Sequence, residues 1–107
     1  MISTHILDTS LGLPAAGVPV TLQRRDGQTW KDVATGKTDG DGRHLFASAL
    51  TAGHYQLIFE VEDYLKAKNS ESFYTKIPVA FKIENTQRKY HVPLLLNPFG
   101  YATYRGS

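Results

Sequence analysis

The chain has 107 residues, 41% of them hydrophobic and 21% charged, which fits a single globular domain over residues 1–107 and excludes disordered, collagen-like and low-complexity classes. Twelve Lys and Arg against ten Asp and Glu leave a net charge of +2, too small and too evenly spread for the footprint of a nucleic-acid binder. No cysteine is present, so disulfide frameworks, thiol nucleophiles and cysteine-ligated zinc are out of reach, and no apolar run approaches the roughly 20 residues of a membrane-spanning helix.

Ile2 and Ile6 share one face of an N-terminal strand, and Met1-Ile2-Ser3-Thr4 lacks the basic and then apolar pattern of a signal peptide. A cytoplasmic protein is therefore expected, or a periplasmic one if a signal peptide has been removed from a longer precursor. Leu11-Gly12-Leu13-Pro14 marks a turn before Val18, Val20 and Leu22, which alternate as a half-buried strand does. Asp26-Gly27 and Asp39-Gly40-Asp41-Gly42 mark two further turns. Alternation is clearest from His54 to Glu62: Tyr55, Leu57, Phe59 and Val61 take one face, and His54, Gln56, Glu60 and Glu62 the other. The run from Asp63 to Asn69 carries helix formers without alternation, which predicts one short helix with Asp63 as its N-cap. Val79, Phe81 and Ile83 resume the strand pattern, Tyr90, Val92, Leu94 and Leu96 repeat it, and Asn97-Pro98 marks the last turn. Short alternating runs separated by glycine, proline and aspartate are the pattern of an antiparallel, all-β sandwich.

Histidine is the side chain whose ordinary pKa, about 6.5, allows proton exchange near neutral pH. Of His5, His44, His54 and His91, His5 points away from the face of Ile2 and Ile6, and His91 away from the face of Tyr90, Val92 and Leu94. On an outer sheet face each is either a solvated surface histidine or a site residue. Arg43 follows the glycine turn, and its planar fork suits a carbonyl, a urate-like anion or a carboxylate; an exposed charge after a hairpin is the alternative. Asp39 and Asp41 look like a fragment of a calcium loop, but the downstream bidentate glutamate and the remaining ligand spacing are absent, so calcium is rejected. No His-Glu-x-x-His, phosphate-loop, dinucleotide or Gly-x-Ser-x-Gly signature occurs. The stretch from Phe99 to Ser107 carries three aromatic rings where chain ends are usually polar. It is either a strand packed for stability or a segment tied into a site.

Four blocks of residues, in this order, carry a family resemblance. They are Thr4-His5-Ile6-Leu7-Asp8 with Gly12, Pro14-Ala15 and Val18-Pro19-Val20-Thr21-Leu22; Thr38-Asp39-Gly40-Asp41-Gly42-Arg43; Asp63-Tyr64 through Glu71-Ser72-Phe73-Tyr74 and Ile77-Pro78-Val79; and His91-Val92-Pro93-Leu94-Leu95-Leu96 with the ending Tyr104-Arg105-Gly106-Ser107. Over its whole length the chain resembles the 5-hydroxyisourate hydrolases, also called transthyretin-related proteins, and the terminal tetrapeptide is highly specific.

The resemblance implies a transthyretin-like sandwich of two four-stranded antiparallel sheets with one short helix, assembled as a homotetramer, a dimer of dimers. It implies that His5, Arg43, His91 and the segment Tyr104, Arg105, Gly106, Ser107 line a cleft between subunits, which would enclose histidines that one monomer leaves outside. The implied reaction opens a ring amide of 5-hydroxyisourate, the product of urate oxidation, to 2-oxo-4-hydroxy-4-carboxy-5-ureidoimidazoline on the way to allantoin. Catalytic roles are expected for His5, Arg43, His91 and Ser107, and substrate contacts for His5, Arg43, Tyr104, Arg105, Gly106 and Ser107. The two histidines would orient and deprotonate the water while Arg43 offsets the charge of the oxyanion, and which histidine is the base stays open. His44 and His54 are expected as plain surface residues. No cofactor is implied, and a zinc mechanism is disfavoured because a competent site needs three protein ligands and the pattern suggests no third. The competing function is a non-enzymatic carrier that binds an aromatic ligand in the intersubunit channel, although transthyretins that carry thyroid hormones lack this set of histidines and tetrapeptide.

Overall fold

The computed structural model describes all 107 residues. β1 (Ile2–Asp8), β2 (Leu13–Pro14), β5 (Arg43–Phe46), β8 (Tyr90–Asn97) and β9 (Gly100–Thr103) form one sheet. The other contains β3 (Pro19–Asp26), β4 (Thr29–Lys37), β6 (Gly53–Glu60) and β7 (Lys76–Ile83), in the order β4-β3-β6-β7. In the first sheet β1 is central: β8 and then β9 lie on one side, while β5 and the two-residue β2 share the other. The expected two-sheet sandwich is present, with two departures in its detail. The first sheet holds a fifth, two-residue strand, and β1 and β8 run parallel, from Ile2 opposite Tyr90 to Asp8 opposite Leu96. Direction is free there because the chain reaches β8 from the opposite sheet; only a tight hairpin would impose antiparallel pairing.

The sheets close on one apolar cluster, in which Ile2, Ile6, Val92, Leu94 and Leu96 of the first meet Val20, Leu22, Tyr55, Leu57, Phe59, Ile77 and Ile83 of the second. These inward positions follow the period of two expected of strands. On β1 the inward face also carries Thr4 and Asp8, both buried, which is why the two isoleucines alone make a weak pattern. Both polar groups are satisfied. The Thr4 hydroxyl donates to the Val92 carbonyl at 2.7 Å. Asp8 accepts the Tyr64 hydroxyl at 2.8 Å on Oδ2, and on Oδ1 the Ser10 hydroxyl at 2.7 Å with the N–H groups of Ser10 and Leu11.

α1 (Glu62–Ala67) follows β6 with only Val61 between them. The expected N-cap at Asp63 is not found: Val61 occupies the cap and makes no side-chain capping bond. Val61 is drawn into the core, so the helix starts early and Asp63 joins Glu62 in its first turn, where acidic side chains complement the helix dipole. Asn69, just past the helix's C-cap at Lys68, has a left-handed φ of 57°. The N–H of Ser70 reaches the Leu65 carbonyl and that of Asn69 the Lys66 carbonyl, each at 3.0 Å, the paired bonds of a Schellman stop.

One turn positions the site. Gly42 has φ 74°, and a Cβ there would stand 2.6 Å from the Ile6 carbonyl oxygen, so only glycine lets the turn dock on β1. The Ile6 N–H donates to the Gly42 carbonyl at 2.8 Å. The Asp39 carboxylate braces the loop by accepting the N–H groups of Asp41 and Arg43 at 2.9 and 3.0 Å. These bonds, the Arg43 N–H first, hold its carboxyl below the usual carboxylate range, with the Arg43 charge adding to them. Arg43 therefore leaves the turn at a fixed point beside β1.

Candidate active site

Ser3 and His5 occupy outward positions on β1. Beside Ser3 stand Leu45 of β5 and His91 of β8, and beside His5 stand Arg43 and Pro93. Paired residues on neighbouring strands share a face. The outer face thus carries two adjacent rows, Leu45-Ser3-His91 and Arg43-His5-Pro93, so residues 5, 43 and 91 come together although the sequence separates them widely. Both histidines are half-buried and Arg43 is exposed.

His91 is the most constrained member. Its Nδ1 lies 2.8 Å from the Ser3 hydroxyl oxygen. Its carbonyl accepts the Gly106 N–H at 2.8 Å, an isolated antiparallel bridge beyond the end of β9. Burial depresses the His91 pKa below the ordinary histidine value, the neighbouring charges of His5 and Arg43 depress it further, and a main-chain interaction with Ser3 offsets only part of this. Near neutral pH the ring is an uncharged imidazole, able to accept a proton.

A cavity of about 360 Å³ opens beside this ring. Ser3, Thr4, Asp39, Arg43, His44, Lys89, His91 and Ser107 supply its polar wall. On the other side of His91 a groove of about 250 Å³ runs past Phe81, Lys82, Tyr104 and Arg105. The candidate residues therefore divide. Arg43, His91 and Ser107 converge on the polar cavity, Gly106 lies beneath the imidazole, and His5 stands in the next row without lining either concavity. Tyr104 and Arg105 are turned to the groove rather than to the cavity.

Two wall residues escape sequence reasoning. Ser3 sits two positions before His5 on the same face, but only the parallel register brings it to His91. Lys89 lies in a polar run with no motif to mark it. His44, expected as a plain surface residue, is half-buried instead. Its ring meets Phe46 edge-on at 4.5 Å and lies so close to Gly36 that a Cβ there would clash with it. It faces the opposite way from Arg43 on β5 and plugs the gap between the sheets. His54 is exposed on β6, as expected.

The sequence profile of the HIUase/Transthyretin family matches residues 2–106. A 5-hydroxyisourate hydrolase from Salmonella dublin is 44% identical over 110 residues, covering 100% of this chain and 81% of that protein. The solved structure of Klebsiella pneumoniae 5-hydroxyisourate hydrolase superposes with a TM-score of 0.86 at 39% identity, covering 99% of this chain and 98% of that one. Sea bream transthyretin in complex with thyroxine reaches a TM-score of 0.91 at 29% identity, covering 98% and 93%. Backbone shape does not separate the two kinds of relative; sequence identity does.

Proposed function

The chain belongs to the HIUase/Transthyretin family, and we infer that it is an enzyme that hydrolyses 5-hydroxyisourate, using the polar cavity beside His91 as its site. One observation carries this reading: an uncharged imidazole, a guanidinium and a serine share one cavity, in a chain 44% identical over its length to a hydrolase of that substrate. Sequence identity favours the hydrolases, and nothing in the site favours the carrier function.

His91 acts as the general base. Its free ring nitrogen takes a proton from water as the water oxygen bonds to the ring carbonyl carbon of the substrate. Negative charge gathers on the carbonyl oxygen, where the Arg43 guanidinium offsets it. Collapse of the intermediate breaks the carbon–nitrogen bond, and the proton passes to the departing ring nitrogen, leaving the ureidoimidazoline carboxylate. His5, one row away, helps to orient the water and substrate. Ser107 donates a hydrogen bond to the polar edge of the ring and holds the attack geometry.

The site is completed by assembly into a homotetramer, a dimer of dimers. Leu45, on the outer face beside Ser3, and Tyr104, in the groove beside His91, are large apolar side chains left more than half exposed. Such a surface is what a second copy would cover. Covering it encloses the histidines and brings Tyr104 and Arg105 to bear on substrate. Absence of cysteine suits a cytoplasmic setting.

The test is direct. Urate is oxidised by uricase in a cuvette, the protein is added, and the ultraviolet absorbance of 5-hydroxyisourate is followed. Decay faster than in buffer is expected; decay at the buffer rate overturns the enzyme reading.

A further inference from the structure

We propose that Ser3 is a positioning residue of this reaction, its hydroxyl accepting the Nδ1 proton of His91 and leaving the Nε2 lone pair free to take a proton. The proposal rests on the reading of His91 as the base and adds how that base is set.

A neutral imidazole has one N–H and one lone pair, and the partner of one nitrogen decides the state of the other. In this protein Nδ1 is the nitrogen already engaged, at 2.8 Å from the Ser3 oxygen. The ring is fixed from a second side, because Gly106 packs against its Cδ2 edge. A serine hydroxyl can donate or accept, so the hydroxyl alone leaves the tautomer open. We place the proton on Nδ1, because a base needs its other nitrogen bare and the nitrogen already engaged by Ser3 is not the one left for a water.

The hydrogen bond is not needed to hold the strands. Register pairs from Ile2–Tyr90 to Asp8–Leu96 tie β1 to β8, and the Thr4 hydroxyl adds a buried bond to the Val92 carbonyl. What the Ser3 hydroxyl contributes is its hold on the orientation and protonation of one ring.

Two measurements test this. In ¹⁵N-histidine spectra of the unmodified protein at neutral pH, the Nδ1-protonated form of His91 is expected; the Nε2-protonated form overturns the proposal, and this result needs no variant. In kinetics, Ser3→Ala should lower kcat by roughly tenfold to a hundredfold, the scale of a misplaced reacting group, with KM changed much less. The acid limb of the pH profile should move to lower pH, because the hydroxyl that accepts the Nδ1 proton, and so favours the charged ring, is lost. His5, Arg43, Asp39 and Lys89, with Lys82 and Arg105 across the groove, also face His91 and are common to both proteins, so the difference between profiles reads Ser3. Ser3→Thr, which keeps a hydroxyl, should restore most of the rate. Unchanged kcat and pH limb in Ser3→Ala would overturn the proposal, as would a loss that Ser3→Thr fails to restore with the limb unmoved. Full activity in His91→Ala would instead overturn the reading of His91 as base, a separate and distinguishable result.

Discussion

Gly106 lies against the imidazole of His91 so closely that a Cβ in its place would stand 2.5 Å from Cδ2, and 3.3 Å from Cγ of Pro93. The same glycine donates its N–H to the His91 carbonyl at 2.8 Å. The segment after β9 is thus fastened at the base it is expected to serve, and the ring cannot retreat freely because Ser3 holds its other edge. Gly106→Ala must therefore push the ring or lift the backbone. Turnover of 5-hydroxyisourate is expected to fall by roughly tenfold or more, the scale of about a 1 Å misplacement. Circular dichroism should be unchanged, because Gly106 adds nothing to the core cluster. Turnover equal to the parent's would show that the ring moves aside without cost.

Alanine at His5, Arg43 or His91 should each lower turnover by roughly a hundredfold, the usual scale for acid–base and oxyanion groups. His54→Ala is the matched control, since His54 is exposed on the other sheet. His44→Ala is no control. Removing a ring packed on Phe46 and Gly36 opens a void, and His44 also borders the cavity, so a lower melting temperature is expected whatever the effect on turnover. If His54→Ala cost as much turnover as His91→Ala, the assignment of the site would be wrong.

The acid limb of the rate should lie below the ordinary histidine value of about 6.5. A base works only while unprotonated, and burial of His91 with His5 and Arg43 beside it keeps the ring unprotonated to lower pH. Arg43→Gln removes one of those charges and should raise the midpoint of the limb while lowering the rate. A midpoint that moved down in Arg43→Gln would contradict the electrostatic coupling.

Much of this was legible in the sequence. Alternation places Tyr55, Leu57 and Phe59 inward and turns His5 and His91 outward, because a strand allows each side chain only two faces. The edge strand β4 was not legible, since most of its residues are exposed and no apolar run marks it. The meeting of Ser3 with His91 was hidden for a different reason. It depends on the register of two strands 88 positions apart, which no local pattern encodes. His44 misled because β5 is only four residues long, too short for alternation to show which face it takes.

Asp8 should link acid stability to α1. Burial alone would raise its pKa, but bonds from the Ser10 and Tyr64 hydroxyls and from the N–H groups of Leu11 and Ser10 outweigh it and leave the value lowered. A lowered carboxyl stabilises the fold fully above the unfolded value of about 3.9, and that contribution is lost as pH falls through the folded value. Tyr64→Phe removes one bond to a buried carboxylate and should cost about 1–3 kcal/mol in urea unfolding at pH 7. The loss should shrink toward pH 2 as Asp8 becomes protonated. A difference between parent and variant that did not change with pH would place the role of Tyr64 in packing alone.

Deleting Tyr104 to Ser107 should separate catalysis from folding. The strands end at Thr103, whose hydroxyl donates to the Pro93 carbonyl at 2.7 Å, and the core cluster contains no residue beyond Leu96. The four residues that follow contribute one main-chain bond, from Gly106 to His91, together with part of the cavity wall at Ser107 and of the groove at Tyr104 and Arg105. Chain ends with so few buried contacts usually tolerate removal. Here melting temperature should change little while turnover falls by roughly a hundredfold, because the imidazole loses the backbone against its Cδ2 edge and the substrate loses its Ser107 partner. The order of effects is the informative part. Gly106→Ala should fall between the parent and the deletion, since it disturbs the ring but keeps Ser107. If the deleted protein unfolded at a much lower temperature and its activity fell only in proportion to the folded fraction, the segment would be structural, and catalysis would have to be explained by His5, Arg43 and His91 without it.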